Sequence, residues 1–236
     1  MNTLLEISGV SMAFGGNHAV ESVSMSVQPG EVIALIGPNG AGKTTLLNMI
    51  TGQLTPTSGQ VLLEGRNVST RKPSHAARKS LFRSYQGGGS IPNLTALENV
   101  AIIACTRGHS RAKAEVVARE ALTRMGLAPV LNVPSKNLSG GQRVLIDFAR
   151  LLVSSARVGL FDEPTSGVNP ALLGIMANQI RELADNGGCS VVVSHDTRWV
   201  FELCSRAVVM AQGQLMMDST PEEVMNDKRV LEAYLS

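Results

Sequence analysis

Gly37-Pro38-Asn39-Gly40-Ala41-Gly42-Lys43-Thr44-Thr45 follows the apolar run Val32 to Ile36 and precedes the amphipathic segment Leu46 to Ile50. That order predicts strand, phosphate loop and helix, and the stretch is a complete Walker A sequence. Its glycines let the backbone turn inward until successive N–H groups face one centre. With the positive end of the following helix they form an anion cradle for a triphosphate. Gly37, Asn39, Gly40, Ala41 and Gly42 are the candidate cradle residues. Lys43 would reach the β- and γ-phosphates, Thr44 would offer a hydroxyl to Mg²⁺, and Thr45 would donate to the α-phosphate. A Gly-rich strand-to-helix turn also arises for purely structural reasons, but not with Lys-Thr at this place in the pattern. A nucleoside triphosphate site is expected.

The 236 residues, 44% of them hydrophobic, suffice for one large α/β domain or a domain with an appendage. A formal charge of +2, with the basic residues scattered apart from a modest bunching between Arg66 and Arg83, argues against nucleic acid as the main partner. Cys105, Cys189 and Cys204 are dispersed and show no CxxC spacing, so neither a disulfide framework nor a zinc site is expected, and a reducing cytosol fits. No apolar run approaches the roughly 20 residues that span a bilayer, and Met1 to Glu6 lacks the features of a signal peptide. If the protein serves a membrane process, another chain must cross the membrane.

Short β-like runs occur at Leu4 to Val10, Val20 to Val27 and Val32 to Ile36, separated by turns at Gly15-Gly16-Asn17 and Gln28-Pro29-Gly30-Glu31. Others lie at Val61 to Leu63, Leu81 to Tyr85, Val158 to Phe161, Val191 to Ser194 and Ala207 to Met210, the last returning through the hairpin turn Gln212-Gly213-Gln214. Helical periodicity marks Leu94 to Cys105, Arg111 to Met125 and Gln142 to Val153, where Leu145, Phe148 and Leu152 share a face. Ala171 to Ala184 follows a favourable Asn169-Pro170 start, and short helices are expected near 222–225 and 229–235. The middle block, without strands, reads as a helical subdomain inserted into an α/β core of mixed strand direction.

Val158-Gly159-Leu160-Phe161-Asp162-Glu163-Pro164 is a buried-strand pattern ending in two acids, a Walker B arrangement. Asp162 would hold Mg²⁺, commonly through water, and Glu163 would orient and deprotonate the attacking water. Strand alternation would send the two carboxylates to different tasks. Alone, such a pair is often a solvated turn; behind a Walker A sequence it is a site.

Leu138-Ser139-Gly140-Gly141-Gln142 is the signature sequence of the ATP-binding-cassette ATPases, and the whole chain resembles that family with every motif in order. Ser139 caps the helix expected near Gln142, while Gly140 and Gly141 expose backbone donors at its positive end. The resemblance implies that Ser139, Gly140, Gly141 and Gln142 close over ATP held by an opposite subunit. It implies further that Gln86, after the Leu81 to Tyr85 run, is the glutamine-loop residue that senses Mg²⁺ and water and faces a transmembrane partner. His195 matches the switch histidine that contacts the γ-phosphate and steadies Glu163. Phe14 matches the aromatic residue that stacks on adenine, though an ordinary core or turn phenylalanine reads equally well from sequence.

Phe14-Gly15-Gly16 with His18-Ala19-Val20, the loop Ser166-Gly167-Val168-Asn169-Pro170, and the ending Pro221-Glu222-Glu223-Val224 with Glu232-Ala233-Tyr234-Leu235 look like the ATPases of branched-chain amino acid importers. Urea and amide importers and the lipopolysaccharide-export ATPase share much of this pattern. Two departures are Gly87-Gly88-Gly89 after the glutamine loop, where relatives carry bulkier side chains, and Arg143 to Asp147, which lacks the common Arg-rich run. The resemblance implies a P-loop NTPase (RecA-like) α/β core with an N-terminal antiparallel β-subdomain, built from residues 1–85 and 155–236. Residues 86–154 would form the helical signature subdomain. The activity implied is ATP hydrolysis with Mg²⁺, at the cytoplasmic face of a membrane. The implied partners are transmembrane permease subunits, a second ATPase subunit and a periplasmic solute-binding protein. A soluble ATPase of iron–sulfur cluster assembly is the rival reading. A GTP switch is disfavoured because no Asn-Lys-x-Asp sequence is present.

Overall fold

The computed structural model describes residues 3–69 and 80–235, so positions 70–79 of the basic stretch, and Met1 and Asn2, lie outside the described residues. The chain divides into two compact units. One comprises Met1–Arg83, Arg157–Asp162 and Arg181–Ser236; the other comprises Ser84–Ala156 and Glu163–Ile180.

In the first unit, β1 (Leu5–Phe14), β2 (Asn17–Val27), β4 (Ser58–Leu63) and β5 (Arg66–Asn67) form an antiparallel sheet in the order β2-β1-β4-β5. Alternation along β1 buries Leu5, Ile7, Val10 and Met12, with a register shift after Ile7 where Gly9 takes φ 57°. The second sheet runs β10 (Gln214–Ser219), β9 (Arg206–Ala211), β3 (Val32–Ile36), β8 (Cys189–Val193), β7 (Val158–Asp162), β6 (Leu81–Arg83). Its strands from β9 to β6 are parallel, and β10 is antiparallel. Every residue of β3, β7 and β8 is buried, as expected of parallel strands covered on both faces. Each large aliphatic side chain buried there contributes about 1.5–3 kcal/mol relative to exposure. Burial also pushes the thiols of Cys189 and Cys204 up to about 12, so neither is a nucleophile at neutral pH.

Because β3, β8 and β7 are adjacent and parallel, their carboxyl ends open to the same side, where ligands bind in open α/β sheets. From β3 the chain passes through the glycine loop into α1 (Lys43–Ile50). In the second unit α2 (Ala96–Thr106), α3 (Arg111–Arg124) and α4 (Gly140–Ser154) bury Val100, Ala104, Ala114, Ala118, Leu122, Leu145 and Phe148. Small alanines on facing helices allow close approach. α2 carries a full capping box, the Thr95 N–H donating to Glu98 Oε2 and the Glu98 N–H to Thr95 Oγ1. α5 (Leu173–Asp185) follows a 3₁₀ turn, Pro170–Leu172, which is capped by Asn169. α6 (Thr197–Leu203), α7 (Pro221–Asn226) and α8 (Lys228–Leu235) complete the described elements.

The sequence reading differs from this at several ends. β6 stops at Arg83 because Tyr85 enters a turn, its carbonyl accepting from Gly88 N–H at 2.9 Å. β5 and α6 were not anticipated, the first being two residues long and the second a seven-residue helix whose short apolar repeat, Trp199, Val200 and Leu203, fills only one turn. α4 begins at Gly140 rather than near Gln142, since the cap on Ser139 outweighs the poor helix propensity of two glycines.

The loop after β3 is pressed against backbone. A Cβ on Gly37, whose φ is 146°, would lie 2.0 Å from the Met210 carbonyl oxygen, and one on Gly42, φ 97°, would lie 2.4 Å from that of Ala19. Gly37→Ala is therefore expected to cost on the order of 2–3 kcal/mol, lowering the thermal midpoint by roughly 5–10 °C. Differential scanning calorimetry that finds an unchanged midpoint would show that this contact is not rigid.

Candidate functional site

Lys43 opens α1, and its side chain turns back over the loop. Nζ donates to the carbonyls of Gly37 at 2.6 Å and Pro38 at 2.9 Å, and the residue is 8% exposed. Two carbonyl dipoles thus hold the ammonium at the cradle's rim. The helix is preceded by Gly42 in a left-handed conformation, with no side-chain cap. A helix start without a side-chain cap suits an incoming anion. Asn39, Gly40 and Thr44 are exposed, Thr45 is half-buried, and Ala41 is buried. The hairpin turn between β9 and β10 docks on this loop: Gly213 N–H donates to the Ala41 carbonyl at 3.2 Å, and Glu21 N–H donates to the Gly213 carbonyl at 2.8 Å. Gly213 takes φ 79° and Gln212 φ 50°. This bracing role of the hairpin went unread in the sequence, where Gln212-Gly213 signals only a turn.

Asp162 ends β7, two strands from β3, and pairs in register with Val193 of β8. His195 lies two residues beyond β8, exposed, in a turn where Ser194 Oγ accepts from Asp196 N–H and Asp196 Oδ1 accepts from Trp199 N–H to cap α6. Phe14 is 52% exposed at the tip of the β1–β2 hairpin. Its ring is therefore no core residue, and exposure of a large aromatic face suits stacking on a base. The first unit thus carries the glycine loop, Asp162 and His195 at one end of a parallel sheet.

The second unit carries the remaining residues. Gln86 is exposed, ahead of the Gly87-Gly88-Gly89 turn. Glu163 is half-buried with φ 50°, so it is a left-handed bend after β7, not alternation along a continuing strand, that redirects the chain between the two acids. Ser139 Oγ accepts from Gln142 N–H at 3.2 Å while Gln142 Oε1 accepts from Ser139 N–H at 2.9 Å, a capping box that fixes the start of α4. Gly140 and Gly141 form its first turn.

Sequence reasoning also missed Asp147. Buried on α4, it accepts from Gly89 N–H at 2.8 Å through Oδ2 and pairs with Arg150 through Oδ1 at 3.0 Å. Arg150 in turn donates to the Gly89 carbonyl at 2.9 Å. The glycine turn after Gln86 is thereby fastened to the signature helix. An acid on an otherwise apolar stretch of α4 was the available signal.

A small hard cation fits the donor set of the first unit. Thr44 offers a hydroxyl and Asp162 a carboxylate, and among the described residues no cluster of three or more His, Cys, Asp or Glu forms an all-protein cage. Mg²⁺ bound with phosphate keeps most of its ligands as water and phosphate oxygen, and asks the protein for only one or two groups.

A phosphate loop feeding a helix from the middle of a parallel sheet defines a P-loop nucleotide-binding protein. Residues 20–166 match the family described as ABC transporter. The high-affinity branched-chain amino acid transport ATP-binding protein LivG of Escherichia coli (strain K12) is 32% identical over 248 residues, covering 98% of this chain and 97% of that protein. A crystal structure of the ADP conformation of an ATP-binding cassette of an ABC transporter superposes with a TM-score of 0.86 at 28% identity, covering 100% of both chains. A dimeric cassette in a post-hydrolysis state, bound to ADP and Pi, gives 0.83 at 25% identity, covering 92% of this chain and 98% of that one. The chain belongs to the ABC transporter family, as one of its ATP-hydrolysing subunits.

Burial raises the Asp147 carboxyl above its ordinary range, against the pull of Arg150 and the Gly89 N–H. A carboxyl with a raised folded pKa binds more protons folded than unfolded, so its contribution to stability declines as pH rises from the ordinary carboxylate value through the folded one. The stability of wild type relative to Asp147→Asn should fall over that interval in urea denaturation. A difference that stays flat or grows with pH would contradict the assignment.

Proposed function

We propose that this chain is the nucleotide-binding subunit of an importer of branched-chain or other hydrophobic amino acids, docked on transmembrane permease subunits and paired with a second ATPase subunit. The observation that carries the reading is the glycine loop and Lys43 at the carboxyl end of β3, with Asp162 and His195 at the ends of neighbouring parallel strands. The solute is assigned from the likeness to LivG together with the resemblances at Phe14 to Val20, Ser166 to Pro170 and the C-terminal segment. Among the described residues no helix is long and apolar enough to cross a membrane, so a transport path has to come from other chains. A peripheral place at the cytoplasmic face follows from that partnership.

In this reading the N–H groups from Gly37 to Thr45 cradle the phosphates, and Lys43 exchanges its two carbonyl partners for β- and γ-phosphate oxygens. Phe14 stacks on adenine. Thr44 and Asp162, with Gln86 as the resemblance implies, would hold Mg²⁺, which would neutralise phosphate charge. Glu163 takes the proton of the attacking water, and His195 steadies the γ-phosphate and the base. Ser139 to Gln142 supply backbone donors to the nucleotide of the facing subunit, a pairing in keeping with the dimeric relative bound to ADP and Pi. Preorganised donors around developing charge are the largest contribution to phosphoryl transfer. In this reading residues 1–85 and 155–236 act as the core and 86–154 as the signature arm, although Glu163–Ile180 lies in the second compact unit.

Glu163→Gln should bind ATP as wild type does while hydrolysis falls by roughly 10²–10⁴-fold, and the ATP-bound dimer should accumulate on size-exclusion chromatography. Normal turnover would remove Glu163 from the role of base.

Mixed dimers test whether the signature acts across subunits. Pairing a Ser139→Arg subunit with a Lys43→Ala subunit leaves one composite site whole. Pairing wild type with a Lys43→Ala/Ser139→Arg double mutant spoils both. The first mixture should hydrolyse more ATP at matched heterodimer fraction; equal rates would sink action across the subunit boundary, and a faster second mixture would mean that Ser139 serves its own subunit.

A further inference from the structure

Arg83 closes β6, three residues before Gln86, and belongs to no motif legible in the sequence. Its side chain is only 5% exposed. One terminal nitrogen lies 3.0 Å from Asp162 Oδ2. The other donates to Asn48 Oδ1 on α1 at 2.6 Å and reaches Gln53 Oε1, past the end of that helix, at 3.4 Å. A single guanidinium therefore joins the Walker B strand end to the helix that the phosphate loop begins.

We propose that Arg83 is the positioning residue of Asp162. It holds that carboxylate at a fixed place relative to α1, where it would serve a nucleotide-bound Mg²⁺. The proposal rests on the reading of Asp162 as the metal-binding acid.

The link to α1 supports this role over simple charge neutralisation, since one guanidinium holds both Asp162 and Asn48. At Arg206 and Asp218 two nitrogens meet both oxygens side by side, each at 2.7 Å, whereas Arg150 meets Asp147 through one nitrogen and one oxygen. Arg83 also gives Asp162 one nitrogen and one oxygen, and spends its other nitrogen on the neutral amide of Asn48. Because Arg83 takes Oδ2, it and a cation that would be accepted at Oδ1 need not compete for the same oxygen. The planar, permanently charged guanidinium can hold two acceptors at a set angle, which a lysine ammonium on a flexible stem cannot. Partners that orient a metal-binding carboxylate typically tune metal affinity by about 10–100-fold.

The test compares wild type, Arg83→Lys and Asn48→Leu, both variants being mild enough to be checked for intact folding by thermal melt. The dissociation constant of a fluorescent ATP analogue is measured with Mg²⁺ and with EDTA. Mn²⁺ binding to the protein–ADP complex is followed by electron paramagnetic resonance. Arg83→Lys should keep its metal-free nucleotide affinity within about twofold, yet lose roughly tenfold in Mn²⁺ affinity and a matching part of the Mg²⁺-dependent gain. Asn48→Leu should move both in the same direction by a smaller factor. Wild-type Mn²⁺ affinity in both variants would overturn the proposal, leaving Arg83 a structural tie. Tighter metal binding in Arg83→Lys would overturn it too, by showing that the guanidinium competes with the metal. A wild-type protein that gains nothing from Mg²⁺ would overturn the metal reading of Asp162 and the positioning role with it.

Discussion

The closeness of the phosphate loop to the backbone of its neighbours is the constraint on which the nucleotide site depends. Gly37 faces the Met210 carbonyl and Gly42 faces that of Ala19, at separations that admit hydrogen and nothing larger. The Gly213 N–H then fastens the loop from the side through Ala41. These contacts come from β9, the hairpin turn and β2, so the cradle exists only once both sheets of the first unit are assembled. Arg206 contributes to that assembly. It grips Asp218 with two nitrogens and donates to the Ser26 carbonyl at 2.9 Å with the third, which ties β9 and β10 to β2.

Much of this was legible in the sequence because the decisive elements obey local rules. β3 is an apolar run ending at a glycine, and α4 is announced by a Ser-x-x-Gln cap, so both could be placed within a residue or two. The acids ending β7 stand out for the same reason. Other features depend on residues distant in sequence. Arg83 and Asp162 are 79 positions apart, and Gly89 and Asp147 are 58. No periodicity or motif links such pairs. The conformation of Glu163 was hidden as well, since a left-handed φ on a glutamate has no compositional sign.

The two polar networks differ in character. The Arg83 network joins elements of the sheet unit, tying the end of β7 to α1 through Asp162 and Asn48. The Asp147 network binds a turn to a helix within the other unit and buries its acid deeply enough to raise the carboxyl. The first prepares chemistry, whereas the second fixes shape.

That second network bears on how this chain could exchange parts with its relatives. A glycine run ordinarily confers slack, yet here Gly88 has no room for a side chain. A Cβ at that position, where φ is 86°, would sit 2.9 Å from the backbone of Arg143 in α4. Gly87, by contrast, meets nothing within 4 Å, and its restriction is conformational alone, at φ 76°. A bulkier loop grafted from another cassette would therefore collide with the signature helix of this one unless residues 143–150 travelled with it. Loop and helix form a single heritable cassette within the protein, and a chimera that respects that boundary should fold where one that cuts through it should not.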